Sequence, residues 1–226
     1  MIFPVGDDQI KGGFKPIFSY SFIVINILLF VYELSLNTSG QLNYFIEDYG
    51  AIPTEIMVGT DLHTLFTNMF LHGGWMHLIG NMLFLWIFAD NIEATIGNIR
   101  FLIFYLAGGI FASFIHVLLN SDSSVPSIGA SGAISAVLGS YLVMFPGSKV
   151  RVLVIYFFRS FYISAIIFLG FWIAFQVFNG ISEINKNPDS GGVAYWAHIG
   201  GFGFGLIYGF IAKTFFKLEG NIEKNY

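Results

Sequence analysis

Two residue types that can perform acyl transfer together, a serine and a histidine, stand at comparable places in two apolar segments of this chain. The segment 127–141 reads SIGASGAISAVLGSY and puts Ser131 between Gly129, Ala130, Gly132 and Ala133. A serine at the start of a helix sits among unpaired backbone N–H groups at the positive end of the helix dipole, a setting that favours developing negative charge. The small neighbours let backbone or substrate come close; taken alone, the same run reads first as a helix-packing face. His198 opens a second segment, 195–210. Neutral imidazole can take a serine proton and return it to a leaving amine near neutral pH, and serine needs such a base because its hydroxyl is a poor nucleophile. Neither segment contains aspartate or glutamate, which argues for a Ser–His dyad rather than a triad.

A third stretch, HGGWMHLIGN at 72–81, holds His77 and Asn81 four residues apart, on one face of a helix. With the Ser131 N–H, such donors could stabilise the oxyanion of a tetrahedral intermediate. The alternative for Asn81, a hydrogen bond across helices, is the less favoured reading. A metal site using His72, His77 and His63 is weakly supported: the His72–His77 spacing of five does not align them on a helix, and no carboxylate completes the set. His72 suits a role ordering its loop. His116 receives no role. Asp90 and Glu93, near the inner end of their segment, read as structural groups pairing with backbone or Arg100.

The elements that must hold these residues are membrane helices. Of 226 residues, 55% are hydrophobic and 11% charged, with mean hydropathy +0.72; a soluble domain is usually about a quarter charged. The absence of cysteine excludes thiol catalysis, disulfides and thiolate metal sites. A net charge of −4 without a basic patch gives no sign of nucleic-acid binding. Spans are expected at 17–36, 75–96, 101–119, 129–145, 163–179 and 195–210, with residues 150–162 interfacial. The connection 37–72 is long enough to carry short helices of its own. The N-terminal stretch lacks the charge pattern and small-residue site of a cleavable signal, so the first span is expected to be retained. One membrane domain over 17–216 is expected between tails 1–16 and 217–226.

Orientation follows from the basic residues. With the N-terminus inside, Lys11, Lys15, Arg100, Lys149, Arg151, Arg159, Lys213, Lys217 and Lys224 fall on the cytoplasmic side and only Lys186 outside. Spans two, four and six then all descend from the outer face. Ser131 to Phe145 and His198 to Ala212 are each 15 residues, roughly 22 Å of helix in a core of about 30 Å, so both side chains are expected on the order of 8 Å below the outer surface. Small residues at four-residue spacing, Ser131, Ser135 and Gly139 against Gly201, Gly205 and Gly209, would let the two helices approach closely.

These residues resemble the rhomboid family of intramembrane serine proteases. GASG (129–132) is similar to that family's GxSG, AHIGGFGFG (197–205) to its AHxxGxxxG, and His77 with Asn81 to its HxxxN; the motifs follow the family order, and the resemblance covers roughly 17–216. It implies an all-α fold, a six-helix polytopic bundle with a water-filled cavity opening outward. It implies Ser131 as nucleophile, His198 as base, and His77, Asn81 and the Ser131 N–H as the oxyanion hole. Gly129, Gly132, Gly201 and Gly205 are its motif glycines. The implied substrates are single-span membrane proteins cleaved in or near the bilayer of the cell membrane, with no cofactor and no metal. The segment 163–194 resembles the family's mobile gate. Three features depart from relatives: Ser135 stands where some bacterial members carry an aromatic residue against the histidine, the outer connection lacks a Trp-Arg pair, and there is no seventh span. Two rival readings are a catalytically silent member acting in binding or quality control, and a small transporter; no inverted repeat supports the latter.

Overall fold

The computed structural model describes residues 2–184, 187, 189, 191–215 and 221–223. Lys186, Lys217 and Lys224, all used above for orientation, lie outside the described residues, as do parts of the 180–194 loop and of the C-terminal tail.

Helix dominates. Among the described residues there are nine α-helices: α1 (Phe18–Thr38), α2 (Leu42–Tyr49), α3 (Pro53–Met57), α4 (Thr64–Thr67), α5 (Trp75–Ile96), α6 (Asn98–Leu119), α7 (Ser131–Met144), α8 (Ala165–Glu183) and α9 (Tyr195–Phe215). Three of these, α1, α6 and α8, are long and apolar enough to cross a membrane. Their outward faces carry Leu28, Val31, Ile103, Ile167, Phe171 and Phe178, all exposed; a surface of this kind is stable against lipid and not against water. The chain is a multi-pass membrane protein. The helices that bear the candidate site residues, α5, α7 and α9, place glycine, serine, histidine and asparagine on their buried faces, and α7 is the most enclosed of the three. For example, eleven residues of α7, from Gly132 to Tyr141 together with Met144, are buried.

The expectation of an all-α chain is corrected by a small sheet. β1 (Ile2–Asp7), β3 (Lys149–Val154) and β4 (Arg159–Ser164) form an antiparallel sheet in the order β1-β3-β4, and β2 (Gln9–Lys11) pairs with β5 (Asn221–Glu223). Residues 150–162, expected to lie along the interface, are therefore a hairpin, and the N-terminal tail is its third strand. The physical signal is the alternation in KVRVLV: Val150 and Val152 are fully buried while Arg151 between them is exposed, the period of two of a half-buried strand. Pro4 lies in β1, an edge strand, where its missing N–H costs no ladder bond.

α7 and α9 form the most extensive helix pair. A Cβ on Gly139, Gly201 or Gly205 would overlap the backbone of the facing helix at Phe202, Gly132 and Ala136 respectively. No side chain thus separates these backbones. α5 meets α1 through a polar contact. Glu93, fully buried, accepts from the N–H groups of Ile17 (2.9 Å), Phe18 (2.8 Å) and Ser19 (2.8 Å) and from the Ser19 hydroxyl (2.7 Å). It satisfies the otherwise orphaned donors at the start of α1.

Candidate active site

α7 begins at Ser131, so the Ser131 N–H has no carbonyl of its own helix to bond and its hydroxyl stands at the helix mouth. The preceding strand of chain is fixed by the long outer connection. Ala51 and Ser127 exchange backbone hydrogen bonds (3.0 and 2.8 Å), and the Gly129 N–H donates to the Asn68 carbonyl (2.8 Å). Asn68 is itself held by Ser113 of α6, whose hydroxyl donates to Asn68 Oδ1 (3.1 Å). The 37–72 segment therefore acts as a brace that sets where α7 starts.

His198 lies in the first turn of α9, with 8% of its surface exposed. Its Nε2 is 2.8 Å from Ser131 Oγ, within hydrogen-bond range, and its Nδ1 is 2.8 Å from Gln176 Oε1 of α8. The Trp172 ring, also on α8, lies against the imidazole with centroids 5.8 Å apart. Ser135, at the position where an aromatic neighbour was considered, is fully buried and donates to the Ser131 carbonyl (2.6 Å). Its Cβ is 3.2 Å from where a Gly201 side chain would begin, so the small residue permits the α7–α9 approach and leaves the histidine to be oriented from α8.

His77 and Asn81 line the same cavity of about 860 Å³ as Ser131 and His198. Gly129 has φ +126, and a Cβ there would sit 2.6 Å from His77 Nε2 and 3.6 Å from Asn81 Nδ2. The His77 ring thus abuts the backbone just before Ser131. The Asn81 amide donates one hydrogen towards His72 Nε2 (3.0 Å), leaving the second available to the cavity. His72 is anchored in turn: its N–H reaches the buried Glu33 carboxylate at 3.1 and 3.3 Å. His72 orders its loop and also holds the Asn81 amide, a contact its place in a loop did not reveal. His116 lines the cavity and meets Asn120 (3.3 Å). The His63 ring packs edge-on against Tyr49, and among the described residues no group of three or more His, Cys, Asp or Glu could hold a metal ion. On the surface, Asp189 Oδ1 accepts from the Ser124 N–H and hydroxyl, both at 2.9 Å. These two donors, the backbone one first, hold its carboxyl below the usual range.

Gln176 is the residue that reading the sequence missed. The signal was present: an amide inside the apolar run AIIFLGFWIAFQVF is a polar group at membrane depth, which needs a partner.

The fold and site together define a class: a multi-pass helical membrane protein in which a half-buried serine and a buried histidine share a hydrogen bond at the wall of a cavity lined by both polar and apolar side chains. The Rhomboid domain family model matches residues 59–215, and the chain belongs to the rhomboid family. It is 32% identical over 188 residues to rhomboid protease GluP of Bacillus subtilis (strain 168), covering 83% of this chain and 34% of that protein. It is 29% identical over 175 residues to rhomboid protein 1, mitochondrial, of Saccharomyces cerevisiae, covering 75% and 47%. It is also 28% identical over 147 residues to presenilin-associated rhomboid-like protein A, mitochondrial, of Danio rerio, covering 62% and 34%. The chain thus spans a third to a half of the length of these relatives.

Proposed function

We propose that this protein is an intramembrane serine endopeptidase that cleaves single-span membrane proteins through Ser131 and His198. The observation that carries the reading is the 2.8 Å approach of Ser131 Oγ to His198 Nε2 at the wall of the cavity that His77 and Asn81 also line. The Ser131 hydroxyl donates its proton to Nε2 as Oγ bonds to the scissile carbonyl carbon, and the carbonyl π pair moves onto oxygen. The resulting oxyanion is met by the Ser131 N–H, His77 and the free Asn81 amide hydrogen. Collapse breaks the C–N bond, and the imidazolium gives its proton to the leaving amine. A water then loses a proton to Nε2 as its oxygen bonds to the acyl carbon. The second tetrahedral intermediate collapses with cleavage of the acyl–Oγ bond, the imidazolium returns its proton to Ser131 Oγ, and the acid leaves. The mechanism calls on no cofactor.

In this reading α1, α5, α6, α7, α8 and α9 form six spans of a membrane domain over 17–216. Substrate approaches between α5 and α8, where Phe84 and Trp172 both line the cavity, and unwinds at small or helix-breaking residues. The protein resides in the cell membrane with both termini cytoplasmic. The support for this orientation is the excess of Lys and Arg in the segments joining the inner helix ends. The test is cleavage of a model single-span substrate in detergent by wild type, Ser131→Ala and His198→Ala, alongside labelling by a fluorophosphonate. Wild type alone should cleave and label; equal cleavage by all three, or a folded wild type that never labels, overturns the proposal.

A further inference from the structure

An imidazole can serve Ser131 as a base only in the tautomer that leaves Nε2 free to accept, with the proton on Nδ1. Something must specify that tautomer and hold the ring. Among the described residues, the side-chain polar atom hydrogen-bonded to His198 Nδ1 is Gln176 Oε1, at 2.8 Å. Gln176 is 5% exposed, while the neighbouring Asn179 amide turns back to its own helix at Phe175. The Gln176 amide is itself oriented, because its Nε2 donates to the Trp172 carbonyl at 3.3 Å. Turning the amide over would set Oε1 against that carbonyl and offer N–H to Nδ1, which selects the wrong tautomer. Among the described residues, the titratable groups facing His198 are His77 from α5, His116 from α6 and Tyr195 on α9. None of these three is a carboxylate; the carboxylates lining the same cavity are Asp122, in the 120–126 loop, and Glu183, at the end of α8.

We propose that Gln176 is the positioning residue of the dyad: its Oε1 accepts from His198 Nδ1–H, fixes the base tautomer and ring plane, and does so without a charge. A neutral acceptor suits this depth, where an ionised carboxylate would need its own partners. It orders the imidazole while stabilising the imidazolium less than a carboxylate does.

The inference rests on the proposed protease reading. Its test measures the fluorophosphonate labelling rate, and kcat and KM on a single-span substrate, across pH for wild type, Gln176→Leu and Gln176→Glu in detergent. Gln176→Leu is expected to lower kcat and the labelling rate about tenfold, the scale of one neutral hydrogen bond, with KM unchanged. Gln176→Glu restores an acceptor and adds charge that stabilises the imidazolium. Its rate should recover at high pH, with the acid limb of the profile displaced to higher pH. An active wild type with Gln176→Leu labelled at the same rate, or with Gln176→Glu showing no displacement, overturns this inference and leaves the protease reading standing. A wild type that neither labels nor cleaves overturns both. Should Gln176→Leu fail to fold, the limb of Gln176→Glu decides.

Discussion

Gly205→Ala places one methyl group where α9 touches the backbone of α7. The new Cβ would lie 2.7 Å from the Ala136 carbonyl carbon and 2.9 Å from its Cα, against ordinary contact from 3.4 Å. It would also overlap the Ala136 carbonyl oxygen. Backbone cannot swing aside as a side chain can, so the helices must part by about 0.7 Å (3.4 less 2.7) or more. The Ser131–His198 hydrogen bond, now 2.8 Å, would then stretch to about 3.5 Å, beyond useful geometry. A misplacement approaching 1 Å costs on the order of 10²-fold in rate, or about 2.7 kcal/mol of transition-state stabilisation. Overpacking should also destabilise the fold by about 1–3 kcal/mol. The control is Gly203→Ala on the same helix, where a Cβ meets nothing within 4 Å. The assay is the fluorophosphonate labelling rate beside thermal unfolding in detergent. A Gly205→Ala protein that labels and melts like Gly203→Ala would refute the argument that backbone contact between α7 and α9 sets the site.

Gly129→Ala combines a backbone angle that disfavours a side chain (φ +126) with a contact of 2.6 Å to His77 Nε2. Displacing that donor should lower kcat on the order of 10²–10³-fold, with KM little changed in steady-state cleavage. Glu93→Ala leaves three N–H groups and the Ser19 hydroxyl at the start of α1 without their acceptor. It should destabilise by about 3 kcal/mol or more, read as a lower melting temperature with an unchanged labelling rate below it. Burial lifts the Asp7 carboxyl to about 8, with Asp90 adding to the rise and the donors Tyr141, Gln9 and Asn91 opposing it. A carboxyl that binds its proton more tightly when folded contributes stability at low pH. That contribution should fade as pH rises from about 4 towards about 8. Asp7→Asn should flatten that part of the profile, measured as melting temperature against pH.

The sequence by itself determined the residues with chemistry and the helices that carry them. Ser131, His198, His77 and Asn81 stand at spacings that read directly on a 3.6-residue period, and α5 begins and ends where its apolar run does. The small-residue ridges of α7 and α9 were legible for the same reason: local period and residue size are properties of a short stretch of chain. What only the tertiary structure decided involved partners distant in sequence. Gln176 is 22 residues from His198, and Glu93 is 74 to 76 residues from the N–H groups it caps. β1 pairs with β3 across about two thirds of the chain, Ile2 with Val154 and Asp7 with Val150. A hydrogen bond of this kind leaves no periodicity in either segment, only a polar residue in an apolar run, and which polar atom it meets is settled by how the helices pack.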